Sequence, residues 1–138
     1  MDRSLDSPHQ LINPDTLARP SGFSHAVVAQ PGRAVYLAGQ TAQTPAGQIA
    51  GETIAEQFDL AASNVLKALE AAGADPMDLV SMQIFVTSID EYRQAGREIG
   101  EIYKERFGRH YPAMALVEVS RLFDRAAKIE IMCIAVTA

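Results

Sequence analysis

The sequence contains no tryptophan, a single cysteine and no long apolar run. The one cysteine, Cys133, has no partner in its own chain, which excludes an intrachain disulfide framework and indicates a reducing compartment. The N-terminal sequence lacks the basic start and apolar stretch of a secretory signal, and no apolar run approaches the roughly 20 residues that cross a bilayer. We therefore expect a cytoplasmic protein without a membrane partner.

Basic residues are also few: 12 lysines and arginines stand against 17 aspartates and glutamates, which gives a net charge of −5. Binding to nucleic acid requires clustered lysine and arginine, so this composition argues against a nucleic-acid partner. The glycine-rich patterns of phosphate and dinucleotide loops are absent, and the histidines show no metal-ligand spacing. We expect neither a cofactor nor a metal ion.

The 138 residues, 48% of them hydrophobic and 21% charged, are typical of one globular domain. Residues 1–22 are polar and interrupted by prolines, which predicts an N-terminal arm on the surface. Residues 23–138 are predicted to form a single α/β domain.

Short β-type runs predict the strands of this domain. Residues 25–30 and 34–38 are joined at Pro31 and Gly32, which supply the dihedral angles of a turn, so the two runs predict a β-hairpin. Three further strands are predicted at residues 79–87, 113–120 and 128–136.

Two helices are predicted between these strands. Each begins with a hydroxyl residue followed three positions later by a glutamate, the capping-box pattern, at Thr53 and at Ser88. Apolar residues then recur at helical spacing until Gly73 and Gly108. The predicted fold is α/β, a mixed β-sheet with two helices packed on one face in the order ββαβαββ.

The second face of this sheet is predicted to be partly apolar and uncovered. Oligomerisation would cover it. The alternative is that residues such as Phe85 and Met132 belong to an ordinary core.

Glu130 is the most informative single residue, because it interrupts the apolar run of the last predicted strand. A partly desolvated carboxylate on a strand can exchange protons near neutral pH and so serve in general acid–base catalysis. The alternative is an ion pair with Lys128, with Arg121 or with an arginine of another subunit.

Gly39 stands at the end of a predicted strand, where a glycine lets a ligand approach the backbone and its N–H could polarise a carbonyl or an imine. The alternative is that the glycine serves only a bend. Cys133 lies among apolar neighbours and is predicted to be an inert thiol.

The C-terminal sequence resembles that of a known family. YPAMALVEVSRL, residues 111–122, and KIEIMCIAV, residues 128–136, are similar to the C-terminal signature of the Rid family, the reactive-intermediate (enamine and imine) deaminases. Further matches at residues 22–26, at residues 37–40 and in the first helix follow in the family's order. The resemblance covers the chain from about residue 20 onward.

This resemblance implies a chorismate-mutase-like α/β subunit that assembles as a homotrimer, with small-molecule sites in the clefts between subunits. In deaminating members, an arginine in a Pro-Ala-Arg segment holds the substrate carboxylate, and a glutamate on the last strand orients the water that attacks the C=N carbon. By position, the catalytic residue is Glu130. The substrate-binding residues are Phe23, Ala38, Gly39, Met114 and Leu116.

Met114 stands at the arginine position, and methionine cannot form the paired charged hydrogen bonds of a guanidinium. Losing such a bond costs about 1.5–3 kcal/mol, so the resemblance implies a substrate other than a standard 2-imino carboxylate, in a more apolar pocket. Three other cations are candidates for the lost role: Arg97, Arg121 and His25.

Two functions are open at this point. The chain is either a cofactor-free hydrolase of imines, enamines or related reactive metabolites, or a trimeric protein that binds a small molecule in the same clefts without turnover. The endoribonuclease activity sometimes attached to the family's name is disfavoured by the acidic composition.

Overall fold

Residues 6–138, which the computed structural model describes, form six strands, three α-helices and one short 3-10 helix (Pro76–Asp78). The strands are β1 (Gln10–Ile12), β2 (Ala26–Val28), β3 (Arg33–Tyr36), β4 (Leu79–Val86), β5 (Ala113–Glu118) and β6 (Ile129–Thr137). The helices are α1 (Ile54–Ala71), α2 (Ile89–Gln94) and α3 (Gly96–Phe107). Residues 1–5 of the predicted N-terminal arm lie outside the described residues.

A four-stranded mixed sheet with the order β3-β6-β4-β5 organises the fold. β6 runs antiparallel to both of its neighbours, whereas β4 and β5 are parallel and are connected through α2 and α3. A parallel pair requires such a crossover connection. β1 and β2 form a separate antiparallel pair. The predicted mixed sheet is therefore confirmed.

The core lies between the four-stranded sheet and the helices. Every second residue of β6 from Ile129 to Ala135 is buried, as expected for a strand with one face on the core. From the helices, Phe58 and Leu69 of α1 and Phe107 of α3 are buried against it. Burial of one such side chain stabilises the fold by about 1.5–3 kcal/mol. Within residues 6–138, no helix is long and apolar enough to cross a membrane.

Both predicted helix starts are confirmed. Thr53 Oγ1 accepts a hydrogen bond from the Glu56 N–H (3.1 Å), and Ser88 Oγ accepts one from the Glu91 N–H (3.1 Å). The second predicted helix is in fact two helices, because the chain departs from helical geometry at Ala95. Its apolar stripe continues across this break, so periodicity alone indicated one helix.

The predicted β-hairpin is wrong. β2 pairs with β1 and β3 pairs with β6, so Pro31 and Gly32 connect two separate sheets. β1 was not predicted, because three residues are too few to show an alternating pattern. The observed order of strands and helices is βββαβααββ, which replaces ββαβαββ.

His9 connects the β1–β2 pair to the main sheet. Its ring is buried, Nδ1 accepts a hydrogen bond from the Gln30 N–H (3.1 Å), and Nε2 lies 2.8 Å from the Asp78 carbonyl oxygen. Because Nδ1 accepts, the neutral ring donates from Nε2. This part of the predicted surface arm is therefore attached to the start of β4.

The face of the main sheet opposite the helices is uncovered in the single chain. Its apolar side chains include Tyr36, Val117 and Met132, which are 75%, 44% and 36% exposed. Phe85 lies on the same face and is half-buried. Met132 is therefore not part of an ordinary core, and the predicted apolar, uncovered face is observed.

Candidate active site

Glu130 projects from β6 on the uncovered face, because its neighbours Ile129 and Ile131 are both buried on the helix side. In the strand register Glu130 lies beside Phe85, which in turn lies beside Val117. Cross-strand neighbours have Cβ atoms about 5 Å apart, so the half-buried carboxylate is next to an aromatic side chain.

The Glu130 carboxylate does not form the ion pair with Lys128 that the sequence left open. Lys128 Nζ instead lies 2.8 Å from Glu91 Oε1. Within residues 6–138, the carboxylate of Glu130 has neither an ion pair nor a hydrogen bond. It is therefore available to a water molecule or to a ligand.

Gly39 makes room for this carboxylate. β3 pairs regularly with β6 up to Tyr36, but Gln40 pairs with Ile131, one residue out of that register, so the strand contains a β-bulge. A Cβ atom on Gly39 would lie 2.7 Å from Glu130 Cδ and 2.9 Å from Cγ, which is closer than non-bonded carbons approach. A side chain at position 39 would therefore displace Glu130 from its observed position.

The bulge also leaves two backbone N–H groups without a hydrogen-bond partner in the described residues. Ala38 is exposed, and its carbonyl accepts a hydrogen bond from Gln40 Nε2 (3.3 Å). The N–H groups of Ala38 and Gly39 form no hydrogen bond with any part of the chain that the structure describes. They are free to bind a ligand or water.

Phe23, Met114 and Leu116 line a cavity of about 390 Å³ together with Ile84 and Tyr92. A larger cavity of about 600 Å³ shares Ile84, Tyr92 and Met114 with it. Both volumes lie in the range of about 300–1,000 Å³ that is typical of small-molecule sites. The structure thus brings together three of the predicted substrate-binding residues.

The cavities and Glu130 are on opposite sides of the sheet. Met114 lies beside Met82, and Met82 beside Cys133, and both of these neighbours are buried under the helices. Glu130 is three residues from Cys133 on the same strand, so its side chain points to the other face. The predicted site is therefore divided in one chain. Glu130 and Gly39 are on one side of the sheet, and Phe23, Met114 and Leu116 are on the other.

Of the three cations considered for the role lost at Met114, only Arg97 lines the larger cavity within the described residues. Arg121 and His25 line neither of the two cavities. The His25 ring packs edge-on against Phe23, with 5.2 Å between the ring centroids.

Most residues of the larger cavity were not predicted as site residues from the sequence, among them Tyr92, Glu101 and Lys104. Burial raises the pKa of Tyr92, so its hydroxyl stays protonated as a neutral donor. The sequence feature that could have indicated this cavity is a pair of glycines, Gly96 and Gly100, one turn apart on α3. Elsewhere, Cys133 is buried, and burial raises its pKa to about 12, which is the environment expected for an inert thiol.

The comparisons with known proteins agree with the C-terminal resemblance. The model of a family described as Endoribonuclease L-PSP matches residues 15–137. A Rid family protein of unknown function from Yersinia pestis has the same fold, with a TM-score of 0.82 and 30% identity over 94% of this chain and 98% of its own. The chain belongs to the Rid family.

Relatives of this Rid protein include named deaminases. The human 2-iminobutanoate/2-iminopropanoate deaminase is 30% identical over 115 residues, which cover 83% of this chain and 79% of the human protein. A RutC family protein from Pyrococcus abyssi is 31% identical over 115 residues, 82% of this chain and 86% of the archaeal protein. The Rid family therefore contains proteins named as deaminases of 2-iminobutanoate and 2-iminopropanoate.

Proposed function

We propose that this Rid protein is a cofactor-free hydrolase of reactive imines or enamines and that it acts as a homotrimer. The observation that supports this most is the division of the site, with Glu130 and Met114 on opposite faces of one sheet. One subunit cannot present both residues to the same small molecule, whereas two adjoining subunits can. The uncovered apolar face offers a surface through which subunits would associate.

In the proposed reaction, Glu130 of one subunit accepts a proton from a water molecule while the water oxygen attacks the C=N carbon. The protonated carboxyl group passes this proton to the imine nitrogen, which gives a neutral carbinolamine. The carboxylate then takes the proton of the new hydroxyl group and transfers it to the nitrogen, so that the C–N bond breaks, the C=O bond forms and ammonia leaves. One imine and one water give one carbonyl compound and one ammonia. Gly39 is in close contact with Glu130, and we propose that the free N–H groups of Ala38 and Gly39 hold the water or the intermediate.

The adjoining subunit would supply the substrate pocket. Phe23, Met114 and Leu116 give its cavity an apolar wall. A guanidinium at position 114 would bind a 2-imino carboxylate through paired charged hydrogen bonds, which methionine cannot form. We therefore propose a substrate other than the standard 2-imino carboxylates.

An oxidase that generates imines from a panel of amino acids and amines provides the test, with ammonia release as the readout. The wild type should accelerate release for at least one imine, and Glu130→Gln should abolish that acceleration. Glu70→Gln, a matched change at an exposed position of α1, should have no effect. Light scattering should give three times the chain mass of 14.9 kDa. A wild type that accelerates no imine would contradict the hydrolase.

A non-catalytic, trimeric small-molecule-binding protein is the second candidate. It is favoured by Met114, which lines the cavity with an apolar side chain. Methionine stands in place of the arginine that would hold the carboxylate of an imino-acid substrate. A ligand that binds only the folded state raises the melting temperature. Stabilisation without product, equal in the wild type and Glu130→Gln, would favour this candidate over the hydrolase.

A further inference from the structure

One face of α3 places charged side chains over the larger cavity. Arg97, Glu101 and Lys104 follow one another at spacings of four and three residues, which puts them on the same side of the helix. All three are exposed and line the cavity of about 600 Å³ that also contains Met114. They are its only charged lining residues within the described part of the chain, so the cavity has a net positive charge in a chain whose total is −5.

The two cations of this cavity form no ion pair with other described residues of the chain. Within residues 6–138, neither Arg97 nor Lys104 forms an ion pair. Glu101 is four residues from Arg97, a spacing that permits pairing, and still does not pair with it. Both cations can therefore bind an anion without breaking an existing contact.

Two glycines on the same helix keep the cavity open. A Cβ atom on Gly96 or on Gly100 would meet no atom within 4 Å, so packing does not require a glycine at either position. Both residues line the cavity. Glycine inside a helix lowers stability relative to alanine, and its presence here leaves space beside Arg97.

We infer that Arg97, assisted by Lys104, replaces the cation that is absent at Met114, and that the cavity selects an organic anion with an apolar part. The apolar part packs on Met114 and Ile84, and the carboxylate reaches the guanidinium, whose planar donors match its two oxygens. Arg97 is on α3, whereas Met114, at the arginine position, is on β5. In the bound anion, an apolar segment therefore separates the acid group from the strand that carries Met114. The identity of this anion as a reacting imine rests on the proposed function, but its binding does not.

Calorimetric titration of the full chain with matched acids and amides tests this inference. The probes are hexanoate with hexanamide, and 3-phenylpropanoate with 3-phenylpropanamide. The wild type should bind each acid more tightly than its amide, and added salt should weaken the preference. Arg97→Gln should lower acid affinity about tenfold or more and leave amide affinity unchanged. Lys104→Gln should act in the same direction with a smaller effect.

Two further variants sharpen the measurement. Glu101→Gln removes the one carboxylate of the cavity and should raise acid affinity. Arg93→Gln removes an exposed cation of α2 that does not line the cavity and should change nothing. All four positions are exposed, so the variants should melt like the wild type.

The inference is overturned if neither acid binds, if the acids bind no better than the amides, or if the preference survives in the double variant Arg97→Gln/Lys104→Gln. These results are separate from the turnover assay. Ammonia release without an acid preference would keep the hydrolase and exclude the role of Arg97. Acid binding that depends on Arg97, without turnover of any imine, would keep the anion site and exclude the hydrolase.

Discussion

Glu130 and Met114 lie in one sheet but on opposite faces of it, Glu130 toward the uncovered side and Met114 toward the helices. A site that uses both residues must take them from two chains. In a closed ring of three subunits, each interface joins two different surfaces, so such a site forms once at every interface. The division is therefore consistent with three identical sites in one trimer.

Mixing two inactive variants tests the shared site. Glu130→Gln should remove the reaction and keep the cavity, whereas Met114→Trp should fill the cavity and keep the carboxylate. Random mixed trimers should regain about a quarter of wild-type ammonia release, because about one interface in four combines an intact cavity with an intact Glu130.

Each variant refolded alone should stay inactive and serves as the control for the mixture. Activity of the mixture that does not exceed that of the two parents would show that the two residues do not act together across an interface.

Gly39→Ala should impair catalysis by displacing Glu130. The added Cβ would lie within 2.9 Å of Glu130 Cγ, so the side chain or the bulge must move. We expect a loss of about 1–3 kcal/mol in urea unfolding, as for other overpacked sites, together with a fall in kcat. Gly100→Ala is the control for stability alone, because its Cβ meets no atom within 4 Å and alanine should slightly stabilise the helix. Unchanged stability and kcat in Gly39→Ala would contradict the close fit.

Much of this fold could be predicted from local sequence. The helix starts at Thr53 and Ser88 were predictable because a cap depends on residues a few positions apart. β1 was not, because only its pairing with β2 makes it a strand. Glu130 stood out because a carboxylate in an apolar run is visible in the sequence.

The arrangement of the site was not predictable in the same way. The fit of Gly39 to Glu130 depends on a bulge, and the face of Met114 depends on the register of β5 against β4. A shift of one residue in that register would move Met114 to the other face. Register is set by tertiary packing, so the sequence could suggest the residues of the site but not its division.

His110 should make stability fall at acidic pH. Its Nε2 lies 2.7 Å from the Leu79 carbonyl oxygen, and Nδ1 is buried without a hydrogen-bond partner in residues 6–138. Burial, and to a lesser degree the neighbouring His9, lowers the pKa of His110 below its ordinary value of 6.5. As pH falls below about 6.5, His110 binds a proton in the unfolded chain but not in the folded chain. The free energy of unfolding therefore decreases until the pKa of His110 in the folded chain is reached.

The measurement is urea unfolding at intervals from about pH 7 to about pH 5. His110→Gln keeps an N–H donor toward the Leu79 carbonyl but does not titrate, so it should flatten the pH dependence. Gln94→Asn, a change without a titrating group at an exposed position of α2, should leave it as in the wild type. A slope that is the same in the wild type and in His110→Gln would exclude this role.

Gln57 should be essential for the connection between α1 and the start of β6. Its buried amide donates from Nε2 to the carbonyls of Gly51 (3.1 Å) and Ala126 (3.0 Å), and Oε1 accepts from the Lys128 N–H (2.7 Å). Lys128 is two residues before Glu130, so this amide also positions the strand that carries the proposed catalytic group. Both of its N–H donors and its carbonyl oxygen are thus paired with backbone groups.

Gln57→Glu should therefore lower the free energy of unfolding in urea by about 2–5 kcal/mol at neutral pH. The carboxylate oxygen that replaces Nε2 would face two carbonyl oxygens and has no proton to donate to them. The loss should be smaller at about pH 4, because the protonated acid regains one donor and the folded state binds this proton more tightly than the unfolded state does. Gln94→Glu, the same change at an exposed position of α2, should lie within about 0.5 kcal/mol of the wild type. A loss that is equal at both pH values would mean that the carboxyl charge is not what destabilises the variant.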